Sequence, residues 1–171
     1  METLIKTILD WIFHGAPAFL IRWYWTEDRL QRRVIIDVRP RGDALEFRGG
    51  EQPEVQIFLR VWNMAPFFIE VDRLKVDIWC SGCGEVCQPL QDIQKRKVPP
   101  AGFADILMRG GQGVNIETLL ERAGTWPTAN INIHAEIVSS VRNFSIQSSN
   151  QGFVRPSITS ISNELRQKLF K

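Results

Sequence analysis

The chain has 171 residues, of which 44% are hydrophobic and 23% are charged, enough for one domain with its own core plus extensions. Its net charge of +2 is too small to indicate binding to nucleic acid, and we expect none. Three cysteines, an odd number, do not make a disulfide scaffold. They are typical of a reducing compartment, or of one disulfide with a spare thiol.

The first 33 residues are predicted to form an N-terminal arm. Apolar residues at helical spacing predict an amphipathic helix over residues 1–13, followed by a glycine and a proline that end it. Asp10 interrupts the apolar run and no small-residue cleavage site follows, so the segment does not resemble a signal peptide. The longest uncharged run nearby, Trp11 to Ile21, is well short of the roughly 20 apolar residues of a membrane-spanning helix. We therefore expect a cytoplasmic protein.

The arm is rich in aromatic side chains, since six of the fifteen residues from Trp11 to Trp25 are aromatic. Tryptophan and tyrosine favour the membrane–water interface, and four arginines between residues 22 and 33 would favour anionic lipid. The predicted first helix has a charge-balanced polar face, which is atypical of helices that bind membrane surfaces. Three interpretations stay open: peripheral binding to a membrane, packing against the chain's own core, and docking on a protein partner or a second copy. The candidate contact residues of the arm are Trp11, Ile12, Phe13, Phe19, Leu20, Ile21, Arg22, Trp23, Tyr24 and Trp25.

From residue 34 onward, apolar residues alternate with polar ones, which is the period of half-buried antiparallel strands. The clearest examples are VIIDV (34–38), VQIFLRVW (55–62), LKVDIWC (74–80) and INIHAEI (131–137). Turn-forming segments rich in glycine and proline separate them. About seven short strands at this spacing predict a mainly β protein, an antiparallel β-sandwich over residues 34–150.

Two further segments are predicted to be helical. Asn115 is a good N-cap, Leu119 and Leu120 are apolar, and Gly124 is a helix stop, so we predict one short helix there. The extension over residues 151–171 ends in SISNELRQKLFK, where apolar residues fall in line with basic residues beside them. This pattern predicts a short C-terminal helix with a basic face.

The segment VQIFLRVWNMAPFFIEVDRLKVDIWCSG resembles the central signature of the late embryogenesis abundant type 2 domain, also called the water-stress and hypersensitive-response (WHy) domain. In that family a strand ends in asparagine, a proline follows, and an apolar strand then runs into a hairpin. The matching positions in this chain are Val61, Asn63, Pro66, Phe68, Val71, Leu74 and Val76.

The resemblance covers Val34 to Ser149. KVPPAGFADILMRG is similar to the family's turn into its next strand, and TANINIHAEIVSSVRNFSI is similar to its last hairpin. Met64 and Ala65 separate the asparagine from the proline, which in the family usually follows directly. The resemblance implies a fibronectin-III/immunoglobulin-like β-sandwich, often membrane-associated, with no known chemistry of its own. A stress response is suggested by the family name.

Three large aromatic residues are predicted to face away from the sandwich core. Alternation places Phe58, Trp62 and Trp79 on the outward sides of two strands. A sandwich does not need large aromatic side chains there, so they require a cover, either the arm or another molecule. We therefore count them with the arm as candidate membrane- or partner-binding residues.

The motif CSGCGEVC places Cys80, Cys83 and Cys87 within eight residues, and thiolates at this spacing can hold zinc or an iron–sulfur cluster. A structural zinc site needs four ligands, and His134 is the only candidate for the fourth, if its strand passes near. The spacing straddles a predicted hairpin turn, so the thiols would point in different directions. A disulfide and small buried or surface thiols are the alternatives, and we predict neither a metal nor a cofactor.

No nucleophile–base arrangement, phosphate loop or carboxylate pair stands out, so we do not expect an enzyme. The expected function is a non-enzymatic, membrane-peripheral binding or scaffold module anchored through its aromatic arm. The alternative is a soluble structural subunit of a larger assembly, whose arm docks on a neighbouring copy or on another protein.

Overall fold

The computed structural model describes residues 18–39, 44–51, 53–81, 84–87, 89–110, 115–124, 126–163 and 167, apart from the side chains of 18, 19 and 149–153. The predicted helix over residues 1–13 lies outside the described residues, as does most of the predicted C-terminal helix. The described chain is mainly β, as predicted, with two sheets and three short helices.

Two of these helices precede the first strand: α1 (Ala18–Tyr24) and α2 (Glu27–Gln31). The third, α3 (Ile116–Ala123), confirms the helix predicted in that region. Asn115 caps α3 by accepting a hydrogen bond from the backbone N–H of Thr118 at 3.0 Å, and Gly124 ends it in the left-handed conformation. Within the described part of the chain, no helix has the length and apolarity to cross a membrane.

Sheet A is built around β3 (Glu54–Asn63). β1 (Val34–Val38) and β2 (Leu45–Arg48) pair one after the other with one edge of β3, and β8 (Gly102–Gly110) pairs with its opposite edge. These pairings are antiparallel. The sheet is completed by β11 (Ser157–Thr159), which pairs in parallel with β2.

Sheet B is built around β4 (Ile69–Cys80), the longest described strand at 12 residues. β9 (Ala129–Ser139) pairs along one edge of β4, and β10 (Phe144–Val154) pairs with β9 in turn. Three short strands share the other edge of β4, at its end, middle and start respectively: β5 (Gly84–Glu85), β6 (Leu90–Asp92) and β7 (Arg96–Val98).

The inward sides of the two sheets share one hydrophobic core, which makes the fold sandwich-like. Every second residue along the central strands is buried there, which confirms the alternation predicted from the sequence. The buried sets are Val55, Ile57, Leu59 and Val61 of β3, Leu74, Val76, Ile78 and Cys80 of β4, and Ile131, Ile133, Ala135 and Ile137 of β9.

Two features differ from what alternation predicts. Gln56 falls on the outward side of β3 but is buried, because it lies between Glu46 and Arg109 on the neighbouring strands and donates a hydrogen bond to Glu54 at 2.7 Å. The strands also continue past residue 150, since β10 reaches Val154 and β11 follows it. A strand of three residues is too short to produce a periodic signal in the sequence.

Candidate functional site

The described part of the aromatic stretch, residues 18–25, lies at one end of the sandwich, beside the loop between β3 and β4. The indole of Trp25 packs edge-on against Phe67, with ring centroids 5.3 Å apart, and against Tyr24 at 5.4 Å. The backbone N–H of Met64 donates a hydrogen bond to the carbonyl of Arg33 at 2.7 Å. These contacts fix α1 and α2 beside the loop, and we call residues 18–33 and 64–68 the aromatic end.

Several large apolar side chains of the aromatic end are exposed to solvent. Trp23 is 77% exposed and Phe68 is 60% exposed, and Leu20, Tyr24 and Met64 are also exposed. Core packing alone does not require this much apolar surface in one region of a protein. The aromatic end is therefore the strongest candidate for a binding surface.

The same end of the sandwich carries an excess of positive charge. Four exposed arginines lie between residues 22 and 33, against two carboxylates in that segment. The guanidinium of Arg29 lies over the ring of Tyr24, 4.6 Å from its centroid, and donates a hydrogen bond to the carbonyl of Tyr24 at 2.8 Å. This cation–π contact holds a positive charge directly beside an exposed aromatic ring.

A buried asparagine joins the loops of the aromatic end. Asn63, at the end of β3, is 1% exposed. Its Nδ2 donates to the carbonyls of Phe67 at 2.8 Å, Pro99 at 3.0 Å and Val98 at 3.3 Å, and its Oδ1 accepts from the N–H of Ala65 at 3.0 Å. The two hydrogens of Nδ2 are shared among the three carbonyls, so one side chain contacts four backbone groups and ties the β3–β4 loop to the turn between β7 and β8.

A row of apolar side chains crosses the outer face of sheet A next to the aromatic end. Ile35, Trp62 and Phe103 occupy paired positions on β1, β3 and β8, and all three are exposed. The Trp62 and Phe103 ring centroids are 5.1 Å apart. The Arg60 guanidinium lies 4.3 Å from the Phe103 centroid and forms two hydrogen bonds to Asp105, at 2.7 and 2.9 Å.

The remaining predicted contact residues are placed in different environments. Phe58 is half-buried, with the guanidinium of Arg39 6.0 Å from its ring centroid, and Ile21 and Trp25 are also half-buried. Trp79 is exposed, but it lies on sheet B near the end of β4. Trp11, Ile12 and Phe13 lie outside the described residues, as does the side chain of Phe19.

The cysteine motif lies at the end of β4 farthest from Phe68. β4 starts immediately after Phe68, so at about 3.3 Å per residue the two sites are separated by about 35 Å along the strand. Cys80 and Cys87 are both buried in the core, and Cys83 lies outside the described residues. Burial, together with the carboxylates of Glu85 and Asp77, raises the pKa of the Cys87 thiol to about 11. A thiol that stays protonated at neutral pH is a poor nucleophile and a poor metal ligand.

His134 does not come together with these thiols. Its side chain lies on the outer face of sheet B, where it pairs with Lys75, whereas Cys80 faces the core and pairs with Ala129. Among the residues that the structure describes, no three His, Cys, Asp or Glu side chains are grouped so as to hold a metal ion.

Sequence reasoning missed two residues of the aromatic end, Met64 and Phe68, as contact residues. They lie in NMAPFF, a run of mostly apolar residues between two strands that already alternate cleanly. An apolar loop of this kind is a usable signal, because loops are normally polar and solvated. Asn63 was identified only through the family pattern, since a buried asparagine and a turn asparagine look the same in sequence.

No family model matches the chain, and no curated protein matches it. Similar solved structures include the X-ray structure of the structural-genomics target SoR45, at 9% identity over 69% of this chain and 84% of that chain, with a TM-score of 0.48. A protein from Archaeoglobus fulgidus has 16% identity over 68% of this chain and 91% of its own, with a TM-score of 0.37. A protein from Arabidopsis thaliana has 14% identity over 67% and 80%, with a TM-score of 0.40. At these values the similarities carry no argument about activity, ligand or partner.

Proposed function

We propose that this chain is a non-enzymatic binding or scaffold module that associates peripherally with a membrane surface through its aromatic end. The observation that carries the proposal is the exposure of Trp23 and Phe68 on neighbouring elements beside four exposed arginines. Tryptophan and tyrosine rings favour the headgroup region, and arginines favour anionic lipid. Lipid fits this surface because it accepts apolar and cationic side chains together.

The proposed mode of binding needs no unfolding. Trp25 and Phe67 pack together and Asn63 holds the loop, so α1 and the loop present their exposed side chains from a fixed base. Burying one large apolar side chain contributes about 1.5–3 kcal/mol, and each basic residue near an anionic surface contributes about 1 kcal/mol. Stable peripheral binding requires both contributions, since a single weak anchor is readily reversible.

We also propose the finer description of the chain: a fibronectin-III/immunoglobulin-like sandwich related to the late embryogenesis abundant type 2 (WHy) domain. The four hydrogen bonds of Asn63 support this relationship, since they give the asparagine of the family pattern a structural role. In this proposal residues 1–33 form a helical arm, Trp11, Ile12 and Phe13 add to the anchor, and the protein acts at the cytoplasmic side of a membrane.

The experiment that tests the proposal is co-sedimentation of the full chain with vesicles. Neutral phosphatidylcholine vesicles are compared with vesicles that also contain phosphatidylserine. We expect the wild-type chain to pellet with vesicles, and more with the anionic ones. Trp23→Ala should weaken binding about tenfold, because it removes an apolar side chain that inserts. Trp79→Ala is the matched control, since this exposed tryptophan lies at the opposite end of β4.

The contribution of positive charge to vesicle binding is tested with a separate variant. Arg22→Gln should reduce the preference for phosphatidylserine while leaving binding to neutral vesicles unchanged. Failure of the wild-type chain to pellet with either vesicle would overturn the proposal. If the same chain forms oligomers in light scattering that Trp23→Ala abolishes, the aromatic end is instead the docking surface of a structural subunit.

A further inference from the structure

The feature that carries a further inference is the free edge of β8. Across Gly102–Gly110, β8 forms a continuous ladder of nine paired positions with β3 and no register shift. Within the described residues, β8 forms a ladder with no strand other than β3, and β6 and β7 lie against it without pairing. β8 has nine residues, whereas strands typically have about five or six, so its edge is long.

β8 lacks several of the features that usually protect an edge strand, although Asp105 and Arg109 place charges on its outer side. Its sequence, GFADILMRG, contains no proline or lysine, its ladder has no bulge, and its core-facing residues are Ala104, Ile106 and Met108. Natural proteins normally blunt an exposed edge with such features, because an open edge is a template for another strand. A long edge with few of these protections is therefore a candidate interface.

The other sheet edges in the described chain are shorter or lie against a helix, whereas the contacts to β8 come from the short strands β6 and β7, with Leu90 against Gly110. On one side of the sandwich, α2 lies against the β10 edge, where Gln31 Nε2 donates to the carbonyl of Ser145 at 2.9 Å. β11, at the edge of sheet A, has three residues, and β5, β6 and β7 each have two or three. β8 is therefore the edge best suited to accept a strand.

The sequence of β8 is complementary to itself. Two antiparallel copies centred on Leu107 would place Asp105 of each copy, which already accepts two hydrogen bonds from Arg60 of its own chain, opposite Arg109 of the other on the outer face. On the inner face, Ile106 of each copy would lie opposite Met108 of the other. Opposite charges and apolar pairs at facing positions each stabilise an antiparallel ladder. No other centre within β8 pairs these two charges with each other.

We propose that the free edge of β8 is the interface of a homodimer, in which two copies join their sheets antiparallel about Leu107. Sheet A of one copy then continues into sheet A of the second across a two-fold axis, an isologous contact that closes on itself. The dimer does not depend on lipid binding by the aromatic end, so the two proposals can fail separately.

The register of the proposed dimer is tested by cross-linking. In a Cys83→Ser background, Leu107→Cys would place two thiols at directly opposite positions, with Cα atoms about 4.5–5.5 Å apart, which is within disulfide range. We expect mild oxidation to give a covalent dimer that reductant reverses. Phe103→Cys is the matched control on the same strand, because the two copies of residue 103 would lie far apart.

The charge pairing is tested by sedimentation equilibrium of the full chain over the micromolar to millimolar range. We expect a monomer–dimer equilibrium, and Arg109→Glu should raise its dissociation constant about tenfold by placing two acidic groups opposite each other at both pairs. Arg142→Glu makes the same charge change on an exposed turn and should leave the constant unchanged. A monomer at all concentrations, or equal cross-linking at positions 103 and 107, would overturn the proposal.

Discussion

Both ends of β4 border the hydrophobic core, and they differ in which side chains are exposed to solvent. At one end, beside the buried Ile69, the flanking loop exposes Met64 and Phe68 to solvent. At the other end, Cys80 and Cys87 point into the core, and Ser81 and Thr128 join their hydroxyls at 2.9 Å. β4 thus runs from a solvent-exposed apolar surface to an end at which the two described thiols are buried.

The comparison shows that composition alone does not locate a candidate site. The cysteine motif is the more distinctive sequence pattern, yet burial raises the pKa of Cys87 to about 11 and keeps that thiol protonated. The apolar loop at the other end has no motif of its own, yet its exposure is what core packing does not explain. Chemistry-bearing residues indicate a site only where the fold leaves them accessible.

The largest difference between the two ends should appear when one polar anchor is removed from each. Asn63→Ala leaves three carbonyls and one N–H in a buried region without their partner, so it should lower the free energy of unfolding by about 3 kcal/mol or more. Ser81→Ala at the far end removes an exposed hydroxyl and should cost less than about 1 kcal/mol. Urea denaturation measures both, and equal losses would contradict the role given to Asn63.

A smaller effect is expected from replacing one exposed apolar residue at each end with serine. Phe68→Ser should weaken partitioning into anionic vesicles about tenfold, since a side chain that is exposed in water would be buried in lipid. Its thermal midpoint should be close to that of the wild type. Trp79→Ser supplies the comparison at the far end, and a similar loss of vesicle binding there would show that lipid contact is not confined to the aromatic end.

The next prediction concerns the backbone conformation of Gly124. Gly124 ends α3 with a φ of +63°, a conformation that costs a residue with a Cβ about 1–2 kcal/mol. Gly124→Ala should lower the free energy of unfolding by about that amount, while vesicle binding of the folded protein stays unchanged. Chemical denaturation followed by co-sedimentation separates the two effects, and a loss of binding without a loss of stability would contradict the expectation.

The last effect should appear only at alkaline pH. Cys87 has a pKa of about 11 in the folded chain, against an ordinary value of 9.0, so the folded state holds the proton more tightly. Its stabilising contribution is complete below about pH 9 and should decline as the pH rises towards 11. Denaturation at a series of pH values, with Cys87→Ala as the control, measures this decline. The same decline in both proteins would assign it to other groups.

Much of the fold could be predicted from the sequence because apolar and polar residues alternate along β3, β4 and β9. One side of each of these strands faces the core. The caps at Asn115 and Gly124 likewise predicted α3. The short strands β5, β6 and β7 could not be predicted in this way, since their pairing with successive parts of β4 depends on a strand distant in the chain.

The candidate site was only partly predictable for a related reason. Trp23 and Tyr24 stood out because aromatic residues are concentrated in the arm. Phe68 did not, because its exposure depends on how Asn63 folds the loop back towards the carbonyls of Val98 and Pro99. Local composition indicates a surface, whereas tertiary hydrogen bonds decide which neighbouring residues complete it.

The parallel pairing of β11 with β2 determines when one edge of β2 can be paired during synthesis of the chain. Thr159 donates a hydrogen bond to Glu46 at 3.0 Å across 113 residues, so β2 gains its outer neighbour only after residues 157–159 have been synthesised. Until then a growing chain carries an open strand edge next to Phe47 of the core. Contacts of this sequence separation form late and slow the folding of β-rich domains. Nascent chains of this protein should therefore expose one edge of β2 until residues 157–159 have emerged.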